Sequence, residues 1–180
     1  WIVNHYASCP DYPNEHRHFD IARELVKRGH EVTIIAASTM HNMGVNLIED
    51  GSPVLEKFYD GVRYLFLKAR SYEGNGFLRI LNMRDFLKGF RRIARNLPKP
   101  EVIIASSPHL PSLNAALDVA DEMDVPCICE VRDLWPQSLV EYGYLPGWDP
   151  LSHKLYRDER RAYERATALI FTMEGGADYI

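Results

Sequence analysis

The residues best suited to chemistry form the string Glu130-Val131-Arg132-Asp133-Leu134-Trp135-Pro136-Gln137-Ser138. Charged groups directly after an apolar run are costly unless they are paired or exposed in a cleft. Arg132 offers a planar fork that suits phosphate or carboxylate. Asp133 can accept hydrogen bonds from sugar hydroxyls or from an arginine, and Trp135 offers a flat face for a sugar, a lipid or the core. A purely structural Glu130–Arg132 or Arg132–Asp133 network is the competing reading.

Three further groups share this character. Ser106-Ser107-Pro108-His109 places hydroxyls and an imidazole ahead of a helix, where Ser107 and His109 could hold an oxyanion or hydroxyls. Ser-Pro is equally a turn and capping signal. Arg17 and His18 open the first helix and could meet an anion or a sugar, or form a solvated helix start with His18 packed locally. Glu174 follows the last apolar run, as a sugar acceptor group or a first-turn carboxylate.

Several chemistries are disfavoured. No G-x-G-x-x-G follows the first strand, which argues against a nicotinamide cofactor. No G-x-S-x-G surrounds either serine, so a hydrolase triad is not indicated. His16 and His18 stand two apart and do not share a helix face. The two-residue spacing of Cys127 and Cys129 is poor for tetrahedral zinc. No metal and no cofactor is expected.

These residues need elements to position them. Strand and helix signals alternate: an opening run Trp1 to Tyr6, a helix His16 to Arg28 stopped by Gly29, a strand Glu31 to Ala37 and a strand Gly61 to Lys68. A long helix Leu78 to Asn96 ends before Pro98. Then come a strand Val102 to Ser106, a helix Ser112 to Met123 and a strand Pro126 to Val131. A helix Leu151 to Ala166, a strand Ala168 to Thr172 and a helix opening near Glu174 complete the order. It predicts an α/β fold: a doubly wound, Rossmann-like parallel sheet with ligands beyond the carboxyl ends of its strands.

Length and charge narrow the function. The 180 residues suit one domain, expected over 1–180. The net charge of −4 implies no nucleic-acid partner. Its distribution is uneven: between Gly76 and Pro100 seven Lys and Arg face Asp85 alone, a surplus of six, leaving −10 on the rest. Three cysteines favour a reducing compartment over a disulfide framework. Both ends fall inside apparent elements, so the chain is expected to be part of a longer protein.

Several of these stretches together resemble the family 4 retaining glycosyltransferases of the GT-B fold, in the branch of the fucosaminyl- and colanic-acid-type transferases. They are Glu15-His16-Arg17-His18 through Thr33, Asn82-Met83, Ser106 to His109, Glu130 to Pro136 and Glu159 to Ala166. The resemblance implies the N-terminal, acceptor-side half of such an enzyme, its C-terminal nucleotide-sugar domain lying outside this chain. It implies transfer of a sugar from a nucleotide donor, UDP-linked, to a glycan or polyprenyl-linked acceptor in surface polysaccharide or lipopolysaccharide synthesis. Anomeric configuration would be retained and no metal required, at a cytoplasmic site peripheral to the inner membrane. The 180 residues alone are then expected to be inactive. Two departures stand out. Asn14-Glu15 occupies the place of a Gly-Gly pair common after the first strand, and Arg132-Asp133 replaces a common His-Asp.

In this reading Arg132, Asp133, Ser107 and His109 line one wall of a cleft, with Arg17 and His18 at the other lip and Glu174 on the same edge. No residue is assigned as acid or base. Helix 78–96 carries Arg84, Lys88, Arg91 and Arg95 on one face, with Phe77, Leu81, Phe86, Phe90, Ile93 and Leu97 as apolar surface, a pattern suited to an anionic membrane. A crossover helix with a solvated basic side is the plainer alternative. Competing functions are a non-catalytic sugar- or partner-binding module and a GT-B-type nucleotide-sugar epimerase.

Overall fold

The structure, a computed structural model, describes residues 1–13, 16–74 and 76–180. Asn14-Glu15, the pair in place of Gly-Gly, lies outside the described residues. The chain divides into two compact units, Trp1–Lys99 and Pro100–Ile180.

The first unit comprises β1 (Ile2–Val3), α1 (Arg17–Lys27), β2 (Thr33–Ala37), β3 (Thr39–Met40), β4 (Val45–Asn46), β5 (Val54–Tyr59), β6 (Val62–Leu67) and α2 (Phe77–Ala94). Its sheet runs β5-β6-β2-β1, while β3 and β4 form a separate small hairpin. β1, β2 and β6 are parallel. β5 pairs antiparallel to β6, so the expected all-parallel sheet carries an antiparallel edge. The physical reason is the Asp60-Gly61 turn: both residues have positive φ, +47° and +81°, which matches the twist of a two-residue hairpin.

β6 shows why helices cover both faces. Val62, Tyr64 and Phe66 point one way and Leu65 and Leu67 the other, and all five are buried. On the first face α1 brings Phe19 to 6.5 Å from the Tyr64 ring. On the second, α2 approaches so closely that a Cβ on Gly89 would lie 3.3 Å from Leu67 Cβ. That is the doubly wound arrangement. Gly29, at φ +91°, ends α1, and its N–H and that of His30 donate back to Val26 and Leu25.

The second unit holds β7 (Ile103–Ser106), α3 (Leu110–Met123), β8 (Cys127–Val131), α4 (Gln137–Glu141), α5 (Pro150–Arg165), β9 (Ala168–Phe171) and a 3-10 turn, Gly176–Asp178. The strands are parallel in the order β7-β8-β9. α3 buries Leu113 and Leu117 against β7 and β8. α5 packs on α3, where Arg165 donates to Asp118 at 2.9 Å and Asp121 at 2.7 Å. The helix expected near Glu174 is instead the 3-10 turn. A Cβ on Gly176 would stand 2.4 Å from the Phe171 ring, so the chain turns tightly against β9.

α2 corrects the expected apolar face. Asn82, Phe86, Phe90 and Ala94, four apart, are its buried stripe. Phe86 and Phe90 therefore belong to the core and meet no membrane. The exposed apolar residues sit at the helix start: Phe77 at 70%, Leu78 at 52% and Ile80 at 60%. Phe86→Ala should cost about 3–5 kcal/mol of stability in urea unfolding. Phe77→Ala should change it by less than about 0.5 kcal/mol. Equal losses would contradict this division of the helix.

Candidate functional site

The ends of β7 and β8 are joined by side chains as well as by the ladder. Ser106 opposes Glu130 in register, and its hydroxyl donates to Glu130 Oε2 at 2.6 Å. Glu130 is only 3% exposed. One residue on, the Ser107 N–H donates to the Glu130 carbonyl at 2.9 Å, and Ser107 Oγ accepts from the Arg132 N–H at 2.8 Å. The two segments that leave these strands are thereby tied to each other. His109, buried, caps the start of α3, and its carbonyl accepts from the Ser112 hydroxyl at 2.7 Å.

Asp133 organises the next turn. Its carboxylate accepts from the Ser138 hydroxyl at 2.5 Å and from the Trp135 indole N–H at 3.1 Å. This holds Trp135 back over its own loop and starts α4. The Ser107–Pro108 and Trp135–Pro136 peptides are both cis. Asp133, Gln137, Ser138, Met173 and Tyr179 line a pocket of about 520 Å³ at the carboxyl ends of β8 and β9. Behind it, buried Glu159 accepts from the Tyr163 and Tyr179 hydroxyls at 2.9 Å each. Burial pushes its pKa up, and the two hydroxyls offset part of that rise.

In the first unit the strand ends gather a different set. Arg79, in the first turn of α2, donates to the Tyr6 hydroxyl at 3.0 Å and lies 5.4 Å from that ring's centre. His41 Nδ1 meets the Tyr72 hydroxyl at 2.8 Å, and the His41 and Tyr6 rings are 4.6 Å apart. Asn82 Nδ2 donates to Thr39 Oγ1 at 2.9 Å and to the Arg70 carbonyl at 2.7 Å, fixing α2 to the ends of β2 and β6. Beside them a polar pocket of about 370 Å³ is lined by Thr39, Asn42, Ser71, Tyr72 and Glu73. The long loop after β1 is anchored by Asp11, which accepts from Lys57 at 2.8 Å and Tyr59 at 2.5 Å.

The glycosyl transferase 4-like domain family matches residues 16–180. The chain belongs to that family. A sucrose-phosphate synthase from Thermosynechococcus elongatus has a similar structure, with a TM-score of 0.66 at 13% identity. The likeness covers 99% of this chain and 43% of that one, so the chain spans less than half the length of that protein. It supports the Rossmann-like half of a GT-B fold. No curated protein matches the sequence.

The structure places the expected site residues unevenly. Ser107 is tied to the Arg132 N–H at the ends of β7 and β8, Asp133 follows in the next turn, and His109 is buried two residues after Ser107. Glu174 is exposed after β9 and does not line the pocket beside it. In the first unit His18 is buried and Arg17 half-buried at the start of α1. The Tyr6, His41, Tyr72 and Arg79 cluster escaped sequence reasoning, because its members come from four segments with no shared spacing. A single arginine at a helix start, after an aromatic-rich loop, was the available signal.

Burial lowers the His41 pKa from its ordinary 6.5, and the charge of Arg79 lowers it further. Burial, with Tyr6 nearby, pushes Tyr72 up to about 12. The imidazole is thus neutral at pH 7. Because its folded pKa is depressed, its contribution to stability is complete above 6.5 and declines as pH falls toward the folded value. The His41 resonance should titrate below 6.5 in an NMR pH series, and Arg79→Gln should move it upward. Titration at or above the ordinary value would refute this electrostatic picture.

Proposed function

We propose that the chain is the N-terminal, acceptor-side half of a retaining glycosyltransferase. In the complete enzyme a nucleotide sugar, UDP-linked, would sit on a second domain facing these strand ends. The observation that carries the reading is the Ser107–Arg132–Asp133 constellation at the carboxyl ends of adjacent parallel strands. Open α/β sheets bind ligands there, and family membership supplies the reaction class.

In this proposal the bond from the anomeric carbon to the diphosphate breaks, and a bond to an acceptor hydroxyl oxygen forms on the same face. The hydroxyl proton passes to the departing phosphate oxygen, so no side chain here need be the base. Arg132 offsets the charge developing on phosphate. Ser107 and His109 hold the turn that orients it, and Asp133 keeps the adjoining loop in place. Arg17 and His18, at the start of α1, and Glu174, after β9, are further acceptor contacts in this proposal.

The acceptor in this proposal is a polyprenyl-linked glycan, as in the fucosaminyl- and colanic-acid-type branch. Such an acceptor would bring the protein to the cytoplasmic face of a membrane. The support is the outward face of α2, where exposed Phe77, Leu78 and Ile80 precede exposed Arg84, Lys88, Arg91 and Arg95. Apolar groups beside cations suit an anionic bilayer surface. Among the described residues no helix is long and apolar enough to cross a membrane.

Arg132→Ala in the complete enzyme should lower kcat/KM by about 10²-fold, as for loss of a group that stabilises developing charge. Near-normal turnover would refute its role. Separately, the protein should float with anionic liposomes and not with zwitterionic ones, and Phe77→Ser with Ile80→Ser should abolish flotation. Indifference to lipid charge would sink the membrane contact while leaving the transfer reading intact.

A further inference from the structure

α2 packs on β2 and β6, while β5 at the sheet edge leaves Glu56 and Phe58 exposed. The space left is a groove of about 790 Å³, within the usual size of small-molecule sites. It lies along the flank of α2, lined by residues of the first unit alone.

Two chemistries line it. Val54 and Leu65 on the strands and Ile93 and Leu97 on the helix side supply apolar surface. Around them stand Arg63, Lys68, Arg70, Lys88 and Arg92, against Glu56 and Asp85. The two carboxylates are already engaged: Arg63 donates to Glu56 at 2.5 Å and Arg70 to Asp85 at 2.6 Å. Five cations against two carboxylates leave a surplus of three positive charges. Lys68, Lys88 and Arg92 are exposed and form no salt bridge among the described residues, although the charge of Lys68 acts on Asp50 and that of Lys88 on Asp85.

Such a lining discriminates by chemistry. A free phosphate would satisfy the cations and leave the apolar strip wet. An uncharged chain would cover the strip and gain nothing from three cations. A molecule with a phosphate at one end and a hydrocarbon chain at the other uses both. We propose that this groove binds one anionic phospholipid, its phosphate on Lys68, Lys88 and Arg92 and one chain along Val54, Leu65, Ile93 and Leu97. The site does not depend on the transfer reaction. It shares Lys88 with the α2 face proposed above to meet a membrane, but not the exposed Phe77, Leu78 and Ile80, and it adds Lys68 beyond β6 and Arg92.

The test uses dihexanoyl phosphatidic acid below its micellar concentration, added to the protein and followed by NMR and calorimetry. Saturable binding at one site is expected, with the largest amide shifts in β5, β6 and the second half of α2. Dihexanoyl phosphatidylcholine and inorganic phosphate should each bind at least about tenfold more weakly. Lys68→Glu with Arg92→Glu, both exposed positions, should weaken phosphatidic acid binding at least about tenfold, with an unchanged melting temperature. Phe77→Ser with Ile80→Ser should leave it unchanged. Equal binding of inorganic phosphate or of phosphatidylcholine would overturn the proposal. So would shifts confined to other elements, unaltered binding by the charge-reversed variant, or no saturable binding. A groove that instead closes on a second copy, shown by dimers in sedimentation that the charge-reversed variant abolishes, would also overturn it.

Discussion

The Glu130 carboxylate is buried at the end of β8 and held by the Ser106 hydroxyl from β7. Removing a carboxylate from water is expensive unless hydrogen bonds replace the lost solvation. That constraint makes the ends of β7 and β8 behave as one unit. Once Ser106 and Glu130 are paired, Ser107 is placed to accept the Arg132 N–H, and the two loops depart the sheet in a fixed relation. Asp133 then closes the next turn through Ser138 and Trp135. The Arg132-Asp133 step is therefore presented by a scaffold of hydrogen bonds that reaches back into the core.

Much of this was legible in the sequence because hydrophobic period and chain breakers agree. Gly29 stops α1 where the helical spacing ends, and β7 and β8 read as apolar runs bounded by Ser-Pro and Arg-Asp. β5 was not legible in the same way. Its Val54-Leu55-Glu56-Lys57-Phe58-Tyr59 sequence mixes charge with apolar residues, as a strand at the sheet edge can. Asp60-Gly61 was the missed clue, a two-residue hairpin signal of the strongest kind. The short α4 was hidden because Pro136 reads as a breaker, whereas it serves as the cap before Gln137.

The chemistry residues divide along similar lines. Ser107, Arg132 and Asp133 each follow a strand, so the parallel-sheet rule alone places them on one edge. Asp133 has a structural role of its own, since it spends both oxygens on Ser138 and Trp135 in its own loop. Tyr6, His41, Tyr72 and Arg79 meet only through tertiary packing, which no local pattern encodes. α2 illustrates both limits. Its basic residues were visible, but its apolar residues split into a core stripe and an exposed tip only once packing was known.

The central claim is that these strand ends serve transfer to an acceptor. The direct measurement is product analysis with the complete enzyme and a UDP-sugar, with and without a polyprenyl-linked glycan. Sugar should appear on the glycan with its anomeric configuration retained, and the donor should be stable when the glycan is withheld. Conversion of the donor to an epimer without acceptor would contradict that claim.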